Sequence, residues 1–380
     1  MQREAVILFN LTLVLALAGV LMVFSASPVP AVRTFGMDPL HFADRQMKFA
    51  VVGFFLLLLM TRFDYHRLAD KGVLFLIFVG AIVLQLAVVF SEFGAEAGGA
   101  TRWLGVGALR FQPSEIAKAS LVVLLAALLY KRKDHLRKFW FGFLPPMILV
   151  GLFAGLVAMQ KDIGTPVVMV AVMGVMLIAA GARIGHMIVC GVVAVCGFIA
   201  LVVIEPHRIT RLYAYRDPWA SPSDEGLQLI QSMTAFARGG LFGQGAGAGE
   251  QKLLHLPAAH TDFIFAVWAE ELGFIGSVAL VCVFALVMLM AFRVAQRAPD
   301  FFGSMLAMGI GTLVTVQALL NMMVSTGLVP TKGLSLPFIS AGGSGLLVHM
   351  ALMGILVNIA LQGDAPERER LLGRSKRAAA

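Results

Sequence analysis

Apolar residues along this chain gather in continuous runs of about twenty, parted by short polar loops, with none of the every-second-residue alternation of a barrel strand. Runs of that length match a helix crossing a hydrocarbon core about 30 Å thick, at about 1.5 Å of rise per residue. Ten are predicted, at 5–26, 47–61, 72–90, 113–130, 140–159, 163–181, 184–204, 273–293, 301–324 and 344–362. The second is short and extends to about Phe63. A tight turn at Gly181-Ala182-Arg183 joins the sixth and seventh. Pro145-Pro146 and Pro166 stand near span starts, where a missing N–H is tolerated. Lipid leaves backbone polar groups no partner outside their own segment, so these runs predict helices and an all-α polytopic membrane fold.

Composition agrees, with 59% hydrophobic and 14% charged residues. The first run precedes a small-x-small Ser25-Ala26-Ser27, but it exceeds the roughly 7–15 apolar residues of a secretion signal and reads as a retained span. Cys190, Cys196 and Cys282 all lie inside apolar runs and read as packing residues. The net charge of +8 is distributed as a topology signal, not as a nucleic-acid surface, so no nucleic-acid partner is expected. Of the 30 Lys and Arg residues, 17 fall on one face, in alternate loops and the tail. The positive-inside rule makes that face cytoplasmic, with both termini inside. Residues 1–362 then form one membrane domain and 363–380 a short cytoplasmic tail. The long interruption Glu205–Leu272 is external.

Polar chemistry concentrates on that external side. Gln112-Pro113-Ser114-Glu115-Ile116-Ala117-Lys118 opens the fourth span with proline and a first-turn glutamate, both helix-start signals. Lys118 opposes the macrodipole and enters the membrane. At i,i+3 it shares a face with Glu115, which suits either a structural ion pair or a cavity cation facing an anionic substrate. Asp162, in the turn between spans five and six, fits an N-cap or a residue at the mouth of that cavity. The glycine-dense run 239–249 lacks a Gly-Lys-Ser/Thr ending, so it is no nucleotide loop. It suits a flexible turn, or a nest of N–H groups for an anion. Arg208, Arg211, Arg216, Arg238 and Lys252 in the external loop suit surface solvation or pyrophosphate recognition. His260-Thr261-Asp262 sits where the loop meets the eighth span. His260 and Asp262, at i,i+2, share no helical face, and no HExxH or CxxC pattern occurs. A helix from Asp262 to Arg293 would be about 48 Å long, so it must project outward, tilt or break.

His260-Thr261-Asp262-Phe263-Ile264-Phe265-Ala266, followed by Ala269-Glu270-Glu271-Leu272-Gly273, resembles the signature of the SEDS family of shape, elongation, division and sporulation proteins. Arg102-Trp103 with the 112–118 segment resembles a second motif of that family. Pro330-Thr331-Lys332-Gly333-Leu334-Ser335-Leu336-Pro337-Phe338-Ile339-Ser340 with Gly342-Gly343-Ser344 resembles a third. Asp217-Pro218-Trp219 and the Thr-Lys-Gly-Leu-x-Leu-Pro run are more similar to the division branch than to the elongation branch. Three departures stand out: Lys161 where proline is usual, Ala341 where tyrosine is usual, and Ala246 and Ala248 in the glycine run.

The resemblance implies a peptidoglycan glycosyltransferase that polymerises lipid II at the outer face of the inner membrane, in septal synthesis. An elongation polymerase and a lipid II flippase are the alternatives. Asp262 is the implied general base. The implied substrate-binding residues are Lys118, Glu115, Asp162, Arg102, His260, Arg216, Lys332 and Ser340. Glu115 and Asp162 orient Lys118 or hold a divalent cation, and no other cofactor is implied. Lipid II, the growing glycan strand, membrane lipids, a class B penicillin-binding transpeptidase and other divisome proteins are the expected partners. The bare chemistry agrees, since a polyprenyl pyrophosphate sugar needs lipid-facing helices, cations and a carboxylate at one interface.

Overall fold

The computed structural model describes residues 2–33, 36–90, 94–97, 100–106, 109–204, 213–222, 226–253, 256, 259–331 and 333–363. Its helices are α1 (Gln2–Ala26), α2 (Pro28–Arg33), α3 (His41–Arg62), α4 (Lys71–Phe90), α5 (Pro113–Lys131), α6 (Leu144–Met159), α7 (Gly164–Ala179) and α8 (Ile184–Ile204). A single turn at 213–216 (α9) follows. The remainder are α10 (Leu227–Gly239), α11 (Ile264–Arg297), α12 (Phe301–Ser325) and α13 (Gly343–Gln362). Each of the ten expected spans falls on one of these helices. Seven are long and apolar enough to cross a membrane by length and composition, α6 being counted with the π-helical turn Phe139–Phe143 before it, and α7 and the start of α8 are shorter apolar helices. α3 begins at His41, earlier than its apolar run, because Asp44, Arg45 and Lys48 extend it as a polar first two turns.

Burial ranks the helices from centre to rim. The most apolar windows of α5 and α12 are 78% buried inside the protein, whereas that of α4 is only 22% buried and presents Phe75, Leu76 and Val83 outward. α12 packs on α5, α7 and α11, while α13 packs on α3 and α1. An outward apolar face is the expected state of a rim helix whose solvent is lipid. α1 and α11 run antiparallel. Arg297 binds Glu4 at one end, at 2.9 Å, and Ser25 binds Glu271 at the other, at 2.6 Å.

Two features depart from a plain bundle. Between α4 and α5 the chain forms an antiparallel sheet in the order β1 (Gly94–Ala97), β2 (Ala100–Val106), β3 (Leu109–Phe111), with Trp103 opposite Ala95 and Phe111 opposite Leu104. The all-α expectation holds for the membrane part and did not include this sheet. The second is α11. Its 34 residues would make a rod about 51 Å long if straight. The helix instead breaks at Gly273, which takes φ 69° and ψ −168°. Break, rather than outward projection, resolves the length conflict. α10 lies against α11 and Ser232 Oγ donates to the Ser325 carbonyl at 2.6 Å, so the described part of the 205–272 interruption is packed onto the membrane helices.

Candidate active site

The 112–118 segment folds as its sequence requires. Pro113 occupies the first turn of α5, and the Gln112 N–H, one residue earlier, donates to Ser344 Oγ at 3.2 Å. Glu115 and Lys118, one turn apart, point inward together and are 4% and 2% exposed. The Lys118 ammonium donates to Glu115 Oε1 at 2.8 Å and to Gln317 Oε1 of α12 at 2.5 Å. Gln317 Nε2 donates onward to the Ser335 carbonyl at 2.9 Å. One turn along α12, Asn321 Nδ2 donates to the Leu334 carbonyl at 2.6 Å and to the Asp262 carbonyl at 2.8 Å. Gln317 and Asn321 thus form an i,i+4 polar ladder that ties all three motifs into one hydrogen-bonded unit.

Ser340 tightens the same unit. Its hydroxyl donates to the Thr261 carbonyl at 2.7 Å and accepts the Leu336 N–H at 2.7 Å, while the Ala341 N–H donates to the His260 carbonyl at 2.9 Å. These bonds hold the backbone of 260–262 against the 334–341 loop. α11 begins at Ile264 with Phe263 in the N-cap position and no side-chain cap, so Asp262 stands one residue outside the cap. Asp262 is half-buried, unlike Glu115 and Asp162, which are closed to solvent. His260 turns inward against Phe42, with ring centroids 4.8 Å apart. Burial pushes its imidazole down to about 4, so it is neutral at physiological pH and supplies no cation there.

Asp162 behaves as a helix cap. Its Oδ1 accepts the Thr165 N–H at 3.1 Å and its Oδ2 accepts the Thr165 hydroxyl at 2.8 Å, with Lys161 before it at a positive φ of 60°. Arg216 is exposed on α9 and stays outside the Lys118 network. Arg102 lies on β2 beside Trp103, and Lys332 lies outside the described residues.

The glycine run is a packed turn whose N–H groups are taken by the protein's own acceptors. Its backbone is docked on the α11 break, with the Gln244 and Gly245 N–H groups bonding the Glu270 and Glu271 carbonyls at 3.0 Å. A Cβ at Gly243 would come within 2.1 Å of the Glu271 carbonyl oxygen. The anions in the nest are the protein's own. Glu271 Oε2 accepts the Gly247 N–H at 2.9 Å, and Glu270 accepts the Glu250 and Gln251 N–H groups at 3.0 and 3.1 Å. Lys252, one of the loop cations that suited surface solvation or pyrophosphate recognition, is 6% exposed. It donates to Glu271 Oε1 at 2.6 Å, Ser25 Oγ at 2.6 Å and the Gly247 carbonyl at 2.8 Å. Arg238 pairs with Glu250 at the surface, and Arg208 and Arg211 lie outside the described residues.

Residues 5–364 match the family model described as cell cycle protein, FtsW/RodA/SpoVE. This chain belongs to that family. It is 42% identical over 353 residues to a probable peptidoglycan glycosyltransferase FtsW of Geobacter sp. (strain M18), covering 93% of this chain and 95% of the relative. Stage V sporulation protein E of Bacillus subtilis (strain 168) is 38% identical over 353 residues, covering 93% and 96%. Among solved structures, the fold matches the rod shape determining protein RodA of Thermus thermophilus with a TM-score of 0.68 at 26% identity, over 93% of this chain and 96% of that one. A chain from a structure on coordination of polymerization and crosslinking by a peptidoglycan synthase complex matches with a TM-score of 0.76 at 27% identity, over 94% and 98%.

Within this FtsW/RodA/SpoVE fold, the donor set does not fit a dedicated metal cage. Glu115 is paired with Lys118 and Asp162 with Thr165. Among the described residues no three His, Cys, Asp or Glu side chains cluster to hold an ion. The residues that sequence reasoning missed are Gln317 and Asn321. Their signal was present, as two amides one turn apart inside an apolar span, a position where polar groups mark function or interhelical bonding.

Proposed function

We propose that this protein is a peptidoglycan glycosyltransferase that polymerises lipid II at the outer face of the bacterial inner membrane, in septal synthesis, with Asp262 as general base. The observation that carries the assignment is accessibility. Of the three candidate carboxylates, Asp262 alone is half-buried while the other two are closed to solvent; its carbonyl is held by Asn321 and that of Thr261, one residue before, by Ser340. The carboxylate takes the proton from an acceptor sugar hydroxyl as that oxygen bonds to the donor's anomeric carbon. The bond from that carbon to the lipid pyrophosphate breaks, and the pyrophosphate leaves with its electron pair. Lys118, 2% exposed, acts on the departing charge through its field. Ser340 and His260 position the Asp262 backbone, and Asp162 fixes the start of α7.

The FtsW relatives at about 40% identity favour division over elongation. The synthase complex among the structural neighbours supports a penicillin-binding transpeptidase as partner. The basic-residue asymmetry supports both termini in the cytoplasm, which puts Asp262 outside.

Asp262→Asn tests the base. With purified protein, its transpeptidase partner and labelled lipid II, we expect normal partner binding and a loss of glycan ladders of about 10²-fold or more. Near wild-type polymerisation by Asp262→Asn overturns the assignment of the base. Lipid scrambling without ladders in the unmodified protein overturns the polymerase reading itself.

A further inference from the structure

At the end of the molecule opposite the proposed active site, α1 and α11 part to form a cavity of about 440 Å³ lined by Arg3, Glu4, Ile7, Met290, Arg293 and Arg297. The same antiparallel pair that meets at Ser25 and Glu271 meets here again, through Arg297 Nη1 and Glu4 Oε1 at 2.9 Å. That bond fixes one guanidinium and neutralises one charge. Arg3 and Arg293 are exposed and form no hydrogen bond or ion pair among the described residues. Three arginines against one glutamate leave the cavity with a net charge of +2. Arg293 and Arg297 are one turn apart on α11, in the final turns where the helix dipole favours cations but leaves no carboxylate facing Arg293.

The wall below the arginines is of another kind. Ile7, one turn inward from Arg3, is 37% exposed, and Met290 closes the floor at 3%. Leu289 and Phe292 flank the cavity with 44% and 43% exposure, on a helix of transmembrane length. Guanidinium forks therefore stand at the level of the membrane surface, directly above an outward apolar strip. A ligand that satisfies both halves carries a phosphate on an acyl chain, and basic pockets between transmembrane helices suit that chemistry.

We propose that this cavity binds the phosphodiester headgroup of an anionic phospholipid, held by Arg3 and Arg293, while Glu4 occupies Arg297 and competes with the phosphate for the guanidinium charge. The site is independent of the polymerase reading. The chemistry recognised is a phosphate, which a lipid or free inorganic phosphate could supply, and the apolar strip selects the lipid.

Native mass spectrometry of the full-length protein in detergent tests this, titrating dioleoylphosphatidylglycerol, dioleoylphosphatidylcholine or inorganic phosphate. We expect one phosphatidylglycerol site at least about tenfold tighter than any phosphatidylcholine site, equivalent to about 1.4 kcal/mol. The double variant Arg3→Gln/Arg293→Gln should abolish that preference while unfolding at the wild-type temperature. Should the double variant not fold, Glu4→Gln supplies an independent test, since removing the competing carboxylate should tighten phosphatidylglycerol binding several-fold. An unchanged lipid preference in the double variant, or unchanged or weaker binding in Glu4→Gln, overturns the site. Displacement of the lipid by millimolar inorganic phosphate, with the same sensitivity to Arg3→Gln/Arg293→Gln, overturns the lipid as its natural occupant.

Discussion

Replacing Lys252 with methionine should loosen the break in α11, and the cost can be worked from its bonds. The ammonium makes three contacts, to Glu271 Oε1, Ser25 Oγ and the Gly247 carbonyl, at 2.6, 2.6 and 2.8 Å. Methionine fills the same volume and makes none of them. Glu271, 2% exposed, is then a buried carboxylate without its cation. Removing one partner of such a pair costs about 3–5 kcal/mol. The Ser25 hydroxyl at 2.6 Å and the Gly247 N–H at 2.9 Å remain to solvate the charge, which places the expected loss near the lower end, about 3 kcal/mol. Reversible unfolding in mixed micelles measures it. The double variant Lys252→Met/Glu271→Gln removes the stranded charge and keeps an oxygen for Gly247, so it should recover most of the loss. A single variant within about 0.5 kcal/mol of wild type refutes the argument. So does a double variant whose loss equals the sum of the two singles, because contacting residues must couple.

Two further perturbations follow from the same geometry. Lys118→Met should lose both polymerisation and stability, because it strands Glu115 at 4% exposure, whereas Lys118→Met/Glu115→Gln should recover stability but not glycan ladders; ladders from the stable double variant would make the pair structural only. His260 is held neutral down to about 4, below its unfolded value near 6.5, so the unfolded chain binds the proton first and stability falls as pH drops through that window. About 2 kcal/mol should be gone by pH 5 and absent from the pH dependence of His260→Gln; identical unfolding profiles for the two proteins would remove His260 as the cause.

What the sequence disclosed, it disclosed through local rules. The start of α5 followed from Pro113 and Glu115 and the turn at Gly181 from its own residues, whereas Asp162 suited a cap or a cavity mouth and makes the capping bonds. For α11 the arithmetic of length left outward projection, tilt and a break all open, and the structure takes the break at Gly273. The hidden part was long-range. Lys252 reads as a solvated loop cation until Ser25, 227 residues away, is brought beside it. The 239–249 glycines read as a loose turn because nothing local says that the carboxylates they hold are Glu270 and Glu271. Gln317 and Asn321 could have been singled out by their spacing, but their partners, Lys118 and Asp262, lie 199 and 59 residues away.

The break at Gly273 gives these two networks a common purpose. The segment 264–272 is a half-helix of nine residues, about 14 Å long, isolated from the rest of α11 by its non-helical glycine. One end carries Asp262, whose carbonyl is held by Asn321 on α12. The other carries Glu270 and Glu271, locked into the glycine loop, Lys252 and α1. A segment held at both ends fixes the backbone of Asp262, which suits its proposed role, since a general base must stay within hydrogen-bond reach of the acceptor hydroxyl. A straight α11 would have carried that residue along the axis of the membrane portion of the helix. The break sets the direction of 264–272 independently of that axis, and the buried charges at the far end anchor it.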